Sequence, residues 1–131
     1  MRSARPYGVA GARHFSELIT WQLADQLRVQ VFALTTRGSL QRDLKLRSQL
    51  DDAADSVCRN IAEGFGGTDR EFARFLRTAR RSMNEVQDCF RSATIKRYLV
   101  EEDIRTARQI LRRLYPAISS LIAHLDRKGR P

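Results

Sequence analysis

The chain has 131 residues, and its 24 lysine and arginine residues against 15 acidic ones give a net charge of +9. This length suits one domain and excludes a large α/β enzyme scaffold. A composition of 42% hydrophobic and 30% charged residues is neither that of a disordered chain nor that of a membrane protein. The positive charge is nearly all arginine, which suits phosphate-rich partners, and nothing resembles a signal peptide, so we expect a cytoplasmic protein.

The first 14 residues carry Arg2, Arg5 and Arg13 but no acidic residue, and proline and glycine residues interrupt them. This pattern favours a disordered basic tail over an organellar transit sequence. We therefore predict a tail at residues 1–14, one folded unit at 15–127 and a frayed end at 128–131.

Two amphipathic helices are predicted after the tail. The first spans about residues 20–36, where apolar residues recur at steps of three and four. Its apolar face consists of Trp21, Ala24, Leu27, Val31 and Leu34. The second spans about residues 40–65 and ends in the chain's glycine cluster, which marks a helix cap and a turn.

The third helix is predicted at about residues 69–97. Thr68 and Glu71 have the spacing of a capping box, in which each side chain bonds the other residue's backbone N–H. A sustained heptad pattern follows, which indicates packing at a shallow angle against long neighbours. The pattern comprises Phe72, Leu76, Ala79, Met83, Val86, Phe90 and Ala93.

The fourth helix is predicted at about residues 101–126. Three acidic residues at 101–103 suit a helix N-terminus, and the apolar stripe continues in phase through Pro116, so we expect a kink there without a helix end. Four amphipathic helices with short connections predict an all-α fold, an antiparallel up-down-up-down four-helix bundle.

The sequence contains no recognisable catalytic or metal-binding motif. It has no P-loop, no H-E-x-x-H and no Glu-x-x-His pair, and His14 and His124 are isolated from each other. Cys58 and Cys89 would lie roughly 22 Å apart along antiparallel helices, which favours two separate buried thiols. We therefore expect no enzyme activity, no cofactor, no metal and no small-molecule substrate.

Four arginines form a straight line on the third helix. Arg70, Arg74, Arg77 and Arg81, here called the arginine ridge, fall within about 60° of arc on the face opposite the apolar seam. Neighbouring like charges repel by a few tenths of a kcal/mol per pair, so phosphate or carboxylates of another chain should offset them. Further arginines on a common flank of the fourth helix are Arg105, Arg108 and Arg112.

Three interpretations of these arginines remain open at this point. They contact nucleic acid through phosphate and shape with little reading of bases, they form salt bridges between subunits, or they are a solvated face. In the second case Asp51, Asp52 and Asp55 are the candidate carboxylates. A lone acidic cluster of this kind is otherwise typical of a solvated face, or of salt bridges to the arginines of a neighbouring helix or subunit.

Three stretches of the sequence resemble one known family. They are HFSELITWQLADQL (14–27), SVCRNIAEGFG (56–66) and EFARFLRTARRSMNEVQ (71–87), followed by Tyr98-Leu99. They are similar to motifs of the bacterial four-helix bundle proteins encoded by intervening sequences in 23S rRNA genes. Cys58 stands where that family usually has proline, which removes a helix kink without threatening the fold.

The resemblance implies long antiparallel four-helix bundles that assemble as ring-shaped homopentamers, with no member known as an enzyme. A related branch, the accessory variability protein of diversity-generating retroelements, binds nucleic acid and a partner reverse transcriptase through a basic surface. The matched positions imply structural or interface roles for Phe15, Trp21, Asn60, Glu63 and Gly64. In physical terms, Gly64 suits either a left-handed conformation or a close approach, and Asn60 and Glu63 suit bonds to backbone groups or a subunit contact.

We therefore expect a non-enzymatic basic bundle that forms a homo-oligomer, a pentamer by resemblance, and binds RNA or DNA backbones. The alternative is an interaction scaffold whose arginine ridge docks an acidic partner, such as a polymerase-like enzyme, or a neighbouring subunit. Neither hypothesis involves a membrane.

Overall fold

The computed structural model describes residues 11–129, and within that range the protein is helical with no β-strand. A short 3-10 turn precedes five α-helices, four of which are long. The elements are the 3-10 turn Phe15–Glu17, α1 (Ile19–Thr35), α2 (Gly38–Arg42), α3 (Leu44–Phe65), α4 (Asp69–Ile95) and α5 (Glu101–Lys128).

The four long helices surround one apolar core. Helix α3 packs against α1 and α4, and α5 packs against α4 and α1, so each long helix has two long neighbours. Asp69 at the start of α4 pairs with Lys128 at the end of α5, whereas Gln87, later in α4, accepts a hydrogen bond from Arg108, earlier in α5. These two helices therefore run in opposite directions. The heptad positions predicted for α4 are buried in this core.

The segment predicted as one helix from residue 40 is divided at Asp43. The carboxylate of Asp43 accepts a hydrogen bond from the backbone N–H of Leu46 (3.1 Å) and so caps the start of α3. It also accepts bonds from Lys96 Nζ and the Tyr98 hydroxyl, both at 2.9 Å. These three donors lower the pKa of Asp43, with Lys96 as the largest cause. Asp43 thus joins the start of α3 to the segment that follows α4.

Ordered contacts begin before the predicted boundary at residue 15. Ala12 packs against the core, and the backbone N–H of Arg13 donates to the Glu17 carboxylate at 2.6 Å. The His14 ring accepts a bond from the N–H of Ser16 and caps the 3-10 turn. Residues 1–10 of the predicted tail and residues 130–131 of the predicted frayed end lie outside the described residues.

Pro116 lies inside α5, which continues to Lys128. Proline has no N–H to bond the carbonyl one turn earlier, so the helix loses one hydrogen bond there. The buried apolar face of α5 continues with the same helical spacing on both sides of Pro116, and its packing holds the helix in place. None of the helices in residues 11–129 combines the length and apolar character that crossing a membrane would require.

The two cysteines are buried and unpaired, which confirms the prediction of separate thiols. Burial raises the pKa of Cys58 to about 12, so this thiol stays protonated and unreactive at neutral pH. The pKa of Cys89 is also raised, first by burial and then by the nearby carboxylates of Asp88 and Glu85. Across the described range, histidine, cysteine and acidic side chains form no group suited to holding a metal ion.

Candidate nucleic-acid interface

The start of α4 is fixed by the predicted capping box. The Thr68 hydroxyl accepts a hydrogen bond from the N–H of Glu71 (3.2 Å), and the Glu71 carboxylate accepts one from the N–H of Thr68 (2.9 Å). The backbone bond from Thr68 is the main reason why the pKa of Glu71 is lowered. This cap therefore determines where α4 begins. The buried apolar residues of α4 then determine which of its other residues face solvent.

Three of the four ridge arginines project freely from the outer face of α4. Arg70, Arg74 and Arg81 are exposed, and none forms an ion pair with any residue that the structure describes. The Arg74 guanidinium lies 4.9 Å from the ring centroid of Phe75, which is a cation–π contact within α4. We call Arg70, Arg74 and Arg81 the open arginines.

Arg77, the fourth ridge arginine, is turned towards α5. It donates to the carboxylate of Asp126, and both side chains are partly shielded from solvent. Its charge is therefore compensated inside the chain. This pair also relieves part of the repulsion along the ridge that the sequence predicts.

Two of the three arginines predicted on α5 are also paired. Arg105 binds Glu102, and Arg108 binds both oxygens of Glu101 at 3.0 and 3.2 Å. Arg112 is exposed and has no ion pair in the described range. Of the seven predicted arginines, Arg77, Arg105 and Arg108 are therefore paired with carboxylates of the chain, and the other four have no ion pair in the described range.

Sequence reasoning missed Arg127 as a candidate. It is exposed in the last turn of α5, next to Lys128, whose Nζ lies 3.6 Å from the Asp69 carboxylate at the start of α4. Arg127 therefore lies at the same end of the molecule as Arg70. The antiparallel pairing of α4 and α5 was the signal that could have placed it there.

The acidic residues proposed as intersubunit partners differ in their surroundings. Asp51 accepts a hydrogen bond from the Thr35 hydroxyl (2.6 Å), and Asp55 pairs with Arg28 (3.2 Å), so both stabilise contacts between α1 and α3. Asp52 is exposed and has no ion pair in the part of the chain that is described.

Two of the motif residues form an aromatic contact at the start of α1. Phe15 and Trp21 meet edge to face, with ring centroids 5.2 Å apart, and both are half-buried against the core. Both rings therefore contribute to packing, which is one of the two roles, structural or interface, predicted for them.

Asn60 belongs to a polar network between α3 and α4. Its amide donates to the backbone carbonyl and the hydroxyl of Ser56, at 2.8 and 3.0 Å. The buried Ser82 hydroxyl in turn donates to the Ser56 hydroxyl at 2.8 Å. Asn60 therefore bonds a backbone group within its own helix, whereas Glu63 is exposed.

Gly64 is required for a close approach between α3 and α4. A Cβ at this position would lie 2.7 Å from Phe75 Cβ and 2.9 Å from Phe72 Cδ1, closer than real carbon atoms approach. Its φ angle is not in the left-handed region, so the first of the two predicted roles does not apply.

These features define a small basic protein built from four long packed helices, with open arginines on one outer face. The chain belongs to the 23S rRNA-intervening sequence protein family, because the model of that family matches residues 16–120. This match confirms the family resemblance of the three sequence stretches and extends from the 3-10 turn well into α5. No curated protein matches the chain.

Proposed function

We propose that this protein is a non-enzymatic nucleic-acid-binding bundle that contacts RNA or DNA backbones through the open arginines and Arg127. The observation that carries the proposal is that Arg70, Arg74 and Arg81 share one outer face of α4 and lack carboxylate partners among the described residues. Guanidinium groups bind phosphate through paired hydrogen bonds, and phosphate would offset the repulsion between neighbouring arginines.

The length of this face suits a short stretch of backbone. Arg70 and Arg81 are separated by about 16 Å along the helix axis, which equals the rise of about five nucleotides of a duplex strand. Contacts of this kind position a protein on nucleic acid without reading its sequence. No aromatic side chains alternate with the arginines on α4 in a way that would stack bases.

The finer architecture is part of the same proposal. We infer an up-down-up-down bundle, which the contacts from Asp43 to Lys96 and from Ser56 to Ser82 support for α3 and α4. We further propose a cytoplasmic homo-oligomer, a pentamer by family resemblance. A reverse transcriptase is the protein partner that the retroelement branch would suggest.

The test is a titration of labelled structured RNA and labelled duplex DNA at low and moderate salt. The variant Arg70→Gln, Arg74→Gln, Arg81→Gln should bind at least about tenfold more weakly at low salt and show a smaller salt slope. The matched control removes three exposed charges elsewhere, by Arg13→Gln, Arg42→Gln and Arg113→Gln. Equal losses in both variants, an affinity insensitive to salt, or no binding by the wild type at low salt would contradict the proposal.

A further inference from the structure

The two sides of α4 differ in charge beyond Arg81. On the side of α3, Glu85, Asp88 and Asp52 line a surface groove of about 470 Å³, here called the acidic groove. None of these three carboxylates forms an ion pair among residues 11–129. Glu85 and Asp88 lie within about 40° of Arg81 around the helix, so they continue the face of the open arginines. They therefore repel a phosphate backbone that would follow α4 any further.

The side of α4 that faces α5 carries a cation instead. Arg80 is half-buried there, and its guanidinium donates a hydrogen bond to the Ser119 hydroxyl at 3.2 Å. It forms no ion pair with a described residue. A guanidinium has five N–H donors, so this bond fixes the position of the group and leaves most of its donors available to phosphate.

Arg112 lies on the edge of α5 that borders α4. Arg108, one turn earlier, donates a hydrogen bond to Gln87 of α4 at 3.1 Å. Tyr115, three residues after Arg112, donates to Asn84 of α4. Arg112 is within about 60° of both residues around the helix, so it is level with the segment of α4 between Asn84 and Gln87. Its side chain is exposed, and within the described part of the chain it has no ion pair.

We propose that Arg80 and Arg112 extend the phosphate path of the open arginines across the junction of α4 and α5, and that this path selects single-stranded RNA or DNA over a duplex. Arg112 lies about 6 Å beyond Arg81 along the bundle and about 8–10 Å to the side, the spacing of packed helices. With the length of the open arginines, the path measures roughly 27 Å and turns towards α5. The inference rests on the proposed function and adds the direction of the backbone and the class of nucleic acid.

A duplex strand does not follow such a path. One turn of duplex rises about 34–36 Å, so a strand faces one side of a protein for about half of that before it curves away. This length matches the open arginines alone. The duplex is also too stiff to bend within so short a distance, because its persistence length is about 150 base pairs. A single strand can turn, so its phosphates reach Arg80 and Arg112 while the acidic groove repels them on the other side.

The path is tested with a 20-nucleotide oligo(dT) strand and a 20-base-pair duplex in anisotropy titrations at several salt concentrations. The variant Arg80→Gln, Arg112→Gln should bind the single strand about tenfold more weakly, with a salt slope smaller by about 1.4, because two contacts of about 0.7 each are lost. The matched control, Arg42→Gln with Arg113→Gln, removes two exposed arginines elsewhere. The two variants should bind the duplex equally well, and circular dichroism checks that each is folded.

The acidic groove is tested with Glu85→Arg, which removes repulsion from the outer face of α4. A single strand can then continue along α4, so loss of Arg80 and Arg112 should weaken binding less in this background than in the wild type. The matched control background, Gln26→Arg with Gln41→Arg, adds the same charge at exposed positions of α1 and α2 and should keep the full loss.

Three results would overturn the inference. They are an equal loss of affinity for strand and duplex in the Arg80 and Arg112 variant, a loss no larger than that of its control, and the same loss in the Glu85→Arg background as in the wild type. Duplex binding that depends on the open arginines, together with any of these results, would leave the proposed function intact. Absence of binding to either ligand by the wild type at low salt would contradict both.

Discussion

Arg77 of α4 and Asp126 of α5 form an ion pair that joins the two helices and takes one ridge arginine out of the exposed set. Breaking this pair should change nucleic-acid binding more than it changes stability. In Asp126→Asn, the free energy of unfolding should fall by less than about 1 kcal/mol, because both groups are partly solvated. Affinity for duplex DNA should rise, and the salt slope should increase by about one, because Arg77 becomes available to phosphate.

Asp55→Asn is the control for this prediction. It also removes one negative charge and breaks an ion pair, with Arg28, but on the contact between α1 and α3. Anisotropy titrations should show little change in its affinity. If both variants gained affinity equally, net charge rather than the position of Arg77 would be the cause.

Substitution of Gly64 should destabilise the contact between α3 and α4. In Gly64→Ala, the new methyl group would lie 2.7 Å from Phe75 Cβ, so the helices must separate or the ring must move. We expect a loss of about 1–3 kcal/mol in the free energy of unfolding, measured by urea denaturation. Gly66→Ala is the matched control, since nothing lies within 4 Å of a Cβ there, and it should be neutral or slightly stabilising. Equal effects of the two substitutions would exclude the close approach as the cause.

The local features of this fold could be predicted from sequence because their signals are local. The spacing of Thr68 and Glu71 specifies a capping box, and the heptad pattern specifies which side of α4 is buried. The outward direction of Arg70 and Arg81 follows from the same periodicity.

Two of the contacts that differ from expectation join residues distant in sequence. Asp43, which caps α3 where the predicted second helix divides, also binds Lys96 and Tyr98 from the segment after α4. Arg77 is paired because the end of α5 brings Asp126 beside it. Helical periodicity specifies a face but not which neighbouring side chains meet it, so these pairs required the three-dimensional arrangement.

Thr20 presents a buried hydroxyl without a hydrogen-bond partner within the described structure. Its side chain is fully buried, so the hydroxyl has lost its bonds to water and gained none in return. Thr20→Val, which keeps the shape, should therefore raise the free energy of unfolding by about 1 kcal/mol.

Thr35→Val is the informative comparison for Thr20. Thr35 is equally buried, but its hydroxyl donates to the Asp51 carboxylate at 2.6 Å. This variant should lose about 1–3 kcal/mol, because an acceptor at the contact between α1 and α3 is left without its donor. If urea denaturation showed that Thr20→Val is destabilised as Thr35→Val is, the hydroxyl of Thr20 would have a partner.

The cluster around Asp43 should make stability depend on acid pH. Hydrogen bonds from Lys96, the N–H of Leu46 and Tyr98 lower the pKa of Asp43 in the folded protein. A carboxyl group whose folded pKa lies below its unfolded value, about 3.9, stabilises the fold above that value. This contribution is lost as the pH falls below about 4 and through the lowered folded-state pKa.

Melting temperatures measured between pH 7 and pH 2 test this expectation. The wild type should be more stable than Asp43→Asn at pH 7, and the difference should shrink as Asp43 is protonated. Asp52→Asn is the control, because Asp52 has no ion pair in the described residues, and its curve should stay parallel to that of the wild type. A difference between wild type and Asp43→Asn that stayed constant down to pH 2 would show that the ionised carboxylate does not hold the start of α3 to the end of α4.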